Sequence, residues 1–258
     1  MKLAIHAQLD YNFAHPTDVL LQLEAAAIPE QSIEAANIAV SENRHFARVP
    51  AQDTIGERIW LRVQGRLTVD YQATVSINRL LTDCLSLPAV PPHQLPGETV
   101  QYLMASRYCP SDQFQTFVDA EFGGLEGGAR VIAMRDWIEK KFAYVPGVSN
   151  AGTTALETFV MRQGICRDFA HVMITLTRAS GIPARMASVY ALGVEPQDFH
   201  AVAEVFLGGE WHLVDPTGMA QEAAMAKIGI GRDAADVAFL TAYGQAVMNG
   251  QSVSVQAA

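Results

Sequence analysis

A cysteine, a histidine and an aspartate follow one another along this chain at positions where they could do acyl chemistry. Cys166 stands at the start of a predicted helix, His200 begins a predicted strand, and Asp215 ends the next strand. A thiol, an imidazole and a carboxylate together can generate a thiolate that attacks a carbonyl carbon. These three residues are the candidate catalytic residues, provided that the fold brings them together.

The segment around Cys166 predicts a helix that begins at the cysteine. Apolar positions recur from Cys166 to Ala179, and Gly181 followed by Pro183 is a strong helix stop. Gly164 frees the backbone just before the helix. In a first helical turn, unpaired N–H groups and the helix dipole favour an anion. The same groups can stabilise a thiolate and hold the oxyanion of a tetrahedral intermediate.

The glycine pair Gly208-Gly209 predicts a tight turn between the strands that carry His200 and Asp215. If these two glycines form the loop, Asp215 lies opposite Val202, which shares a strand face with His200. The histidine and the aspartate then become diagonal neighbours, with Cβ atoms about 7 Å apart. A four-residue loop with the same centre keeps this register. A three- or five-residue loop moves Asp215 to the other face.

The other cysteines and histidines are interpreted as structural or surface residues. Three cysteines with no Cys-x-x-Cys pair are typical of a reducing compartment and give no sign of a zinc site, so we expect neither a metal nor another cofactor. His171 faces away from Cys166 on the helix, and His212 lies on the strand face opposite Asp215. The remaining residues given this interpretation are Cys84, Cys109, His6, His15, His45 and His93.

Length, composition and charge limit the classes of function. Of 258 residues, 50% are hydrophobic and 17% are charged, which allows a sizeable core in one large domain or two smaller ones. The net charge of -9 argues against a nucleic-acid or anionic-membrane partner. No apolar run approaches the roughly 18 residues of a membrane span, and the first residues lack a signal-peptide pattern. A cytoplasmic protein is expected.

The chain divides at a proline-rich segment. Residues 1–84 contain alternating apolar and polar runs, which predict a small β-sandwich domain. Residues 85–98 hold four prolines and predict a linker. Residues 99–258 then form the predicted catalytic domain, with helices over 128–142 and 154–161 before the helix at Cys166.

Several local sequences resemble the core of bacterial transglutaminase-like proteins, and the resemblance covers residues from about 100 to 240. The motifs are specific, and the strands that precede them resemble the β-sandwich domain that often comes before this core. The matching segments are Ser106-Arg107-Tyr108, Trp137-Ile138, Phe142-Ala143-Tyr144, Gly164-Ile165-Cys166-Arg167-Asp168-Phe169-Ala170-His171, Arg178-Ala179-Ser180-Gly181-Ile182-Pro183-Ala184-Arg185, Phe199-His200-Ala201-Val202-Ala203-Glu204-Val205, Trp211-His212-Leu213-Val214-Asp215-Pro216-Thr217 and Gly231-Arg232-Asp233-Ala234-Ala235-Asp236-Val237.

The resemblance implies an α+β fold, with a papain-like transglutaminase core of helices packed on an antiparallel sheet. It carries over Cys166 as nucleophile, His200 as general base and acid, and Asp215 as the carboxylate that orients the imidazole. Many relatives have tryptophan or tyrosine where this chain has Phe199, so an aromatic wall is kept without a polar donor.

The resemblance does not fix the reaction. We expect hydrolysis of an amide bond in a peptide or protein substrate, because water at about 55 M competes well for an acyl-enzyme unless the site is shielded. The alternatives are acyl transfer to an amine, a catalytically silent binding module and, more weakly, metal binding through Cys166 and His200.

Three further residues and the backbone N–H of Cys166 are candidates for the site. The Cys166 backbone N–H is a candidate oxyanion donor and Tyr144 a second one, although a packed aromatic residue at a helix end is favoured for Tyr144. Phe199 and Arg167 are candidate substrate contacts, although a structural ion pair is favoured for Arg167. Asp168 would oppose thiolate formation unless a cation paired with it, and Arg185 is the suggested partner.

Overall fold

The computed structural model describes residues 1–258. The fold has twelve strands and four α-helices, with irregular segments and short 3₁₀ turns between them. The strands are β1 (Lys2–Leu21), β2 (Gln31–Val40), β3 (Phe46–Pro50), β4 (Glu57–Ile77), β5 (Ala143–Tyr144), β6 (Gln163–Gly164), β7 (Ala184–Ala191), β8 (His200–Leu207), β9 (Glu210–Val214), β10 (Met225–Gly231), β11 (Leu240–Ala242) and β12 (Val247–Ala257). The helices are α1 (Gln115–Phe122), α2 (Gly127–Lys141), α3 (Ala155–Met161) and α4 (Cys166–Ala179).

The first 77 residues form most of one antiparallel sheet built on two long strands. β1 and β4 pair over nearly their whole length, with a register shift between Phe13 and Thr17 opposite Gly65. Gly65 has φ +82°, a conformation that suits glycine, so it marks a bulge within one strand rather than a turn between two. β2 pairs with one half of β4 and β3 with the other half. Both halves contribute to one apolar cluster, since alternate residues are buried along both long strands.

The last two strands of the chain also belong to this sheet. β11 and β12 pair with β1 on the edge that β4 leaves free. The predicted division placed residues 99–258 in one catalytic domain, so the structure differs from the prediction at residues 240–257. The physical reason is that β1 would otherwise present a 20-residue row of unpaired backbone groups.

The second half of the chain is organised around a four-stranded antiparallel sheet in the order β10-β7-β8-β9. α4 packs on β7 and β8, and α1, α2 and α3 pack around α4. α4 is buried along almost its whole length, which explains why its sequence is apolar on more than one side. The predicted α+β class is confirmed, as are the three predicted helices that lead to and include α4.

A buried charge network holds the two sheets together. Glu204 on β8 is 1% exposed and accepts hydrogen bonds from Arg185 at 2.6 Å and from Lys227 at 2.5 Å. Lys227 also pairs with Glu30, which precedes β2 in the first sheet. Burial alone would raise the Glu204 pKa, but the charges of Lys227 and Arg185 lower it to about 2. Because both cations have partners, the network supports the sheet that carries His200.

None of the four helices has the length and hydropathy that a membrane crossing requires.

Candidate active site

His200 and Asp215 form a hydrogen bond at one end of the four-stranded sheet. Their side-chain atoms Nε2 and Oδ2 are 2.9 Å apart, and both side chains are almost completely buried. The observed register pairs Ala203 with Val214, so the predicted two-residue turn at Gly208-Gly209 and the predicted pairing are confirmed. Asp215 follows the last residue of β9, in the position opposite Val202 that this register requires.

The Asp215 carboxylate is fixed by four donors. Oδ1 accepts hydrogen bonds from the Thr217 N–H at 2.9 Å and hydroxyl at 2.7 Å. Oδ2 accepts a hydrogen bond from the Ala220 N–H at 3.0 Å and another from the His200 ring. Burial alone would raise the Asp215 pKa, but the hydrogen bond with His200 and its charge, with help from Thr217, bring the pKa below its ordinary value. The carboxylate is therefore held as an anion that faces the imidazole.

Cys166 is the first residue of α4 and reaches the same end of the sheet. Its Sγ lies 3.9 Å from the carbonyl oxygen of Phe199, the residue just before His200. The Nδ1 atom of His200 is buried and has no other hydrogen-bond partner, which leaves it as the ring nitrogen that faces the thiol. The structure brings the three candidate catalytic residues together.

The histidine is strongly basic in this environment. Burial lowers the His200 pKa, but hydrogen bonds with Asp215 and Cys166 and the charges of both groups outweigh burial and raise the pKa to about 10. At neutral pH the ring is then an imidazolium that lies beside the thiol. This arrangement can supply a charged nucleophile and a proton donor in one ion pair.

The other two cysteines lack this environment. Cys109 is fully buried in the helical core and Cys84 is partly buried near α2. Burial raises the pKa of Cys84 to about 11 and that of Cys109 to about 12. Both thiols are therefore held in the unreactive protonated form near neutral pH.

Iodoacetamide is expected to label Cys166 faster than Cys84 or Cys109, because only Cys166 has an imidazolium beside it. The His200→Ala variant should remove most of this difference, whereas the exposed-histidine control His93→Ala should keep it. A labelling time course read by peptide mass mapping measures all three rates. Equal rates for the three thiols of the native protein would contradict the activation of Cys166.

Tyr144 lies beside Cys166 rather than at a helix end. β5 and β6 pair in parallel, with Tyr144 opposite Gly164, two residues before the cysteine. Burial, together with the nearby charge of Cys166, raises the pKa of the Tyr144 hydroxyl above its ordinary value. Because its pKa is raised, the phenol stays a neutral hydrogen-bond donor at physiological pH.

Arg167 is committed to structural contacts within the cleft wall. It donates two hydrogen bonds to Asp168 Oδ1, at 2.8 and 3.0 Å, and another to the carbonyl oxygen of Asn150 at 3.0 Å. Asp168 Oδ2 accepts the Ile165 N–H at 2.9 Å and thereby caps α4. The suggestion that Arg185 neutralises Asp168 is wrong, since Arg185 pairs with Glu204 and Asp53. Arg167, the adjacent residue, neutralises it instead.

Phe199 has its ring in the apolar core and its backbone at the site. The ring stacks on Phe239 with a centroid distance of 4.5 Å and packs against Tyr190 at 5.7 Å. Only 9% of the residue is exposed, so its predicted substrate contact is limited to the small part of Phe199 that lines the cleft.

The two remaining histidines of the core have the structural roles predicted for them. His171 Nε2 accepts the Ala234 N–H at 3.2 Å, and its ring stacks on Tyr108. Burial lowers the His171 pKa to about 4, so this ring is neutral. His212 Nε2 contacts the Leu207 carbonyl oxygen at 3.3 Å.

A cleft of about 500 Å³ opens beside the three residues. Its walls are mostly apolar, and no group of three or more histidine, cysteine or acidic side chains is arranged to hold a metal ion.

Sequence reasoning did not identify Asp198 and Gln251, two polar residues in this wall. Asp198 could have been identified from its position two residues before His200. Gln251 lies on β12, far from the catalytic residues in sequence, and no sequence feature indicated it. The main lining residues are Tyr108, Tyr144, Pro146, Cys166, Arg167, Ser188, Asp198, Phe199, His200, Val237, Phe239 and Gln251.

Comparison with known proteins agrees with this architecture. The transglutaminase-like superfamily model matches residues 120–216, which include all three candidate catalytic residues. The crystal structure of a candidate cysteine protease from Cytophaga hutchinsonii is 32% identical, with a TM-score of 0.91, and the match covers 99% of this chain and 90% of that one.

An uncharacterized protein from Mycobacterium leprae is 33% identical over 118 residues. That match covers 42% of each chain, so this chain spans less than half the length of that curated relative.

Proposed function

Because this chain belongs to the transglutaminase-like superfamily, we propose that it is a cysteine hydrolase that cleaves an amide or peptide bond through a thioester acyl-enzyme. The proposal is carried by one observation, the hydrogen-bonded pair of His200 and Asp215 with Cys166 at the same cleft. The Cytophaga hutchinsonii protein, described as a candidate cysteine protease, is 32% identical and matches 99% of this chain. This similarity supports the proposal of a cysteine enzyme.

The first half of the proposed cycle forms the acyl-enzyme. The Cys166 thiolate attacks the amide carbonyl carbon, and the carbonyl π electrons move to the oxygen to give a tetrahedral oxyanion. The backbone N–H of Cys166 and the Tyr144 hydroxyl donate hydrogen bonds to this oxyanion. The His200 imidazolium then gives its Nδ1 proton to the departing nitrogen, the C–N bond breaks, and a thioester remains on Cys166.

The second half releases the product. Neutral His200 takes a proton from water, and the resulting hydroxide attacks the thioester carbonyl. Collapse of the second tetrahedral intermediate expels the Cys166 thiolate and leaves a carboxylic acid, with His200 protonated again. Asp215 accepts from Nε2 throughout, so Nδ1 remains the nitrogen that exchanges protons with the substrate.

Tyr144→Phe is expected to lower the turnover number by about 100-fold, because loss of one oxyanion donor typically costs about 3 kcal/mol of barrier. The ring and its packing on Phe169 are kept, so KM and thermal stability should change little. Steady-state kinetics on the best amide substrate gives both constants. A variant with unchanged turnover would assign the second oxyanion contact to another group.

Acyl transfer to an amine is a second candidate, favoured by the apolar cleft wall. Pro146, Val237 and Phe239 line the cleft beside Cys166 and can shield a bound acyl group from water. An amine acceptor that reaches the thioester before water would then give a new amide instead of an acid.

A substrate screen tests both candidates. Purified protein is incubated with a library of peptides and glutamine amides, with and without an added primary amine, and the Cys166→Ala protein serves as background. Hydrolysis releases acid and amine without the additive, whereas transfer produces a new amide only with it. Intact-mass analysis detects an acyl adduct on Cys166. Neither turnover nor an adduct across the library would favour the silent binding module.

A further inference from the structure

The cleft contains one carboxylate, Asp198, that no basic side chain neutralises. The ion pairs of the structure do not include it. Arg167, which follows Cys166 and lines the cleft, is paired with Asp168. The His200 charge is opposed by Asp215. The cleft therefore contains one carboxylate that has no salt-bridge partner.

Asp198 is held in place by the first sheet. Its Oδ1 accepts the Phe199 N–H and the Gln251 side-chain N–H, both at 2.8 Å. Its neighbour Gln197 forms two hydrogen bonds with the backbone of Val255, both at 3.1 Å. β12 thus fixes the loop before β8 at two points. None of these bonds uses Asp198 Oδ2, which is left for a ligand.

The carboxylate is open to the cleft and close to the reacting groups. It lies close enough to His200 for their charges to interact, and its charge adds to the effect of burial in raising the pKa of Tyr144. Burial in the cleft wall raises the pKa of Asp198, although the residue as a whole stays exposed. A cation that docks beside its free Oδ2 gains a charge-assisted hydrogen bond.

We propose that Asp198 is a specificity-determining residue that binds an ammonium or guanidinium group of the substrate next to the reacting carbonyl. The preferred substrates are then peptides with a basic group close to the scissile amide, or amine acceptors that are cationic when they dock. This substrate assignment depends on the proposed function, but the charge selectivity of the cleft can be measured without any turnover.

The first experiment measures charge selectivity at the thiol. Cys166 is modified with three methanethiosulfonate reagents that carry a cationic aminoethyl, a neutral methyl or an anionic sulfonatoethyl group, and rates are read at Cys166 by peptide mass mapping. The native protein should prefer the cationic over the anionic reagent, and Asp198→Asn should lower that rate ratio about tenfold. Asparagine keeps an Oδ1 acceptor for both hydrogen bonds, so the loop stays fixed.

A matched control separates this carboxylate from net charge. Glu195→Gln removes the same charge from the same loop, at an exposed residue that does not line the cleft, and should leave the ratio unchanged. A ratio that is the same in the native protein and in Asp198→Asn, or that falls equally in both variants, would overturn the proposal.

The second experiment identifies the source of the cation. Peptides with lysine, norleucine or glutamate next to the scissile amide are compared with and without an amine acceptor. A lysine preference in hydrolysis that Asp198→Asn lowers about tenfold in kcat/KM places the cation on the acyl donor. A change confined to the amine-dependent reaction places it on the acceptor. If no substrate turns over but Asp198→Asn still shifts the reagent rate ratio, the result contradicts the proposed amide chemistry and supports the cation site. Turnover without any charge preference overturns the proposal.

Discussion

Cys166→Ala is expected to abolish the proposed amide turnover while the fold remains intact. We expect a loss of about 10⁵-fold or more, since removal of the nucleophile of a comparable triad leaves only binding and oxyanion stabilisation. Cys84 and Cys109 cannot substitute, because burial raises their pKa values to about 11 and about 12. The fold should survive, because the hydrogen bond of Cys166 Sγ with the backbone is weak, at 3.9 Å from the Phe199 carbonyl oxygen, and His200 keeps its bond with Asp215.

Initial rates on the best substrate, together with the unfolding midpoint, test this expectation. Cys84→Ala is the matched control, since it removes a thiol outside the cleft and should retain full turnover. Surviving turnover in Cys166→Ala would assign the chemistry to another residue. An unfolded Cys166→Ala protein would leave the comparison to Cys166→Ser, which keeps the volume and exchanges the thiolate for a weak hydroxyl nucleophile.

Asp215→Ala is expected to reduce kcat/KM by about 10²- to 10⁴-fold, because the imidazole loses the carboxylate that selects its tautomer. The substitution also removes the acceptor of His200 Nε2 and leaves that atom buried without a partner. Asp215→Asn separates the two contributions, since it removes the charge and keeps one accepting oxygen, which can serve His200 when the amide NH2 faces Thr217. We therefore expect Asp215→Asn to lie between the native protein and Asp215→Ala. An Asp215→Ala enzyme with native kinetics would show that His200 needs no orienting carboxylate.

The same pair of groups predicts a pH-dependent contribution to stability. The His200 pKa is raised from 6.5 to about 10 in the folded protein, so the stabilisation from its bound proton is fully present below pH 6.5. That stabilisation is lost as the pH rises toward 10. The difference in unfolding free energy between the native protein and Asp215→Asn should therefore shrink between pH 6.5 and 10. Denaturant titrations across this range measure the difference, and NMR of the His200 ring reports its pKa directly.

Local sequence was sufficient for the elements that carry the candidate residues. The α4 boundaries follow from the helix stop at Gly181 and Pro183, and the structure has the helix over Cys166–Ala179 as predicted. The hairpin register follows from Gly208-Gly209, since a two-residue turn fixes every pair along the strands. These are short-range features, in which a few residues decide the backbone path.

Contacts between distant segments were not readable in this way. β12 joins β1 across more than 200 residues, and the alternation of apolar residues in both strands does not state which partner each one takes. The pairing of Arg185 with Glu204 rather than with Asp168 has the same origin. The pairing of β7 with β8 places Arg185 directly opposite Glu204, and the order of residues alone does not reveal this pairing.

The sequence by itself determined which residues could act as nucleophile, base and orienting acid, because residue type sets chemistry and local spacing sets the helix start and the hairpin register. Only the tertiary structure decided that the helix and the hairpin meet at one cleft, that Tyr144 stands beside Cys166, and that the last strand of the chain fixes Asp198 in the wall. The reason is physical: side chains from distant segments meet only when the whole core has packed, and that packing depends on many weak contacts at once.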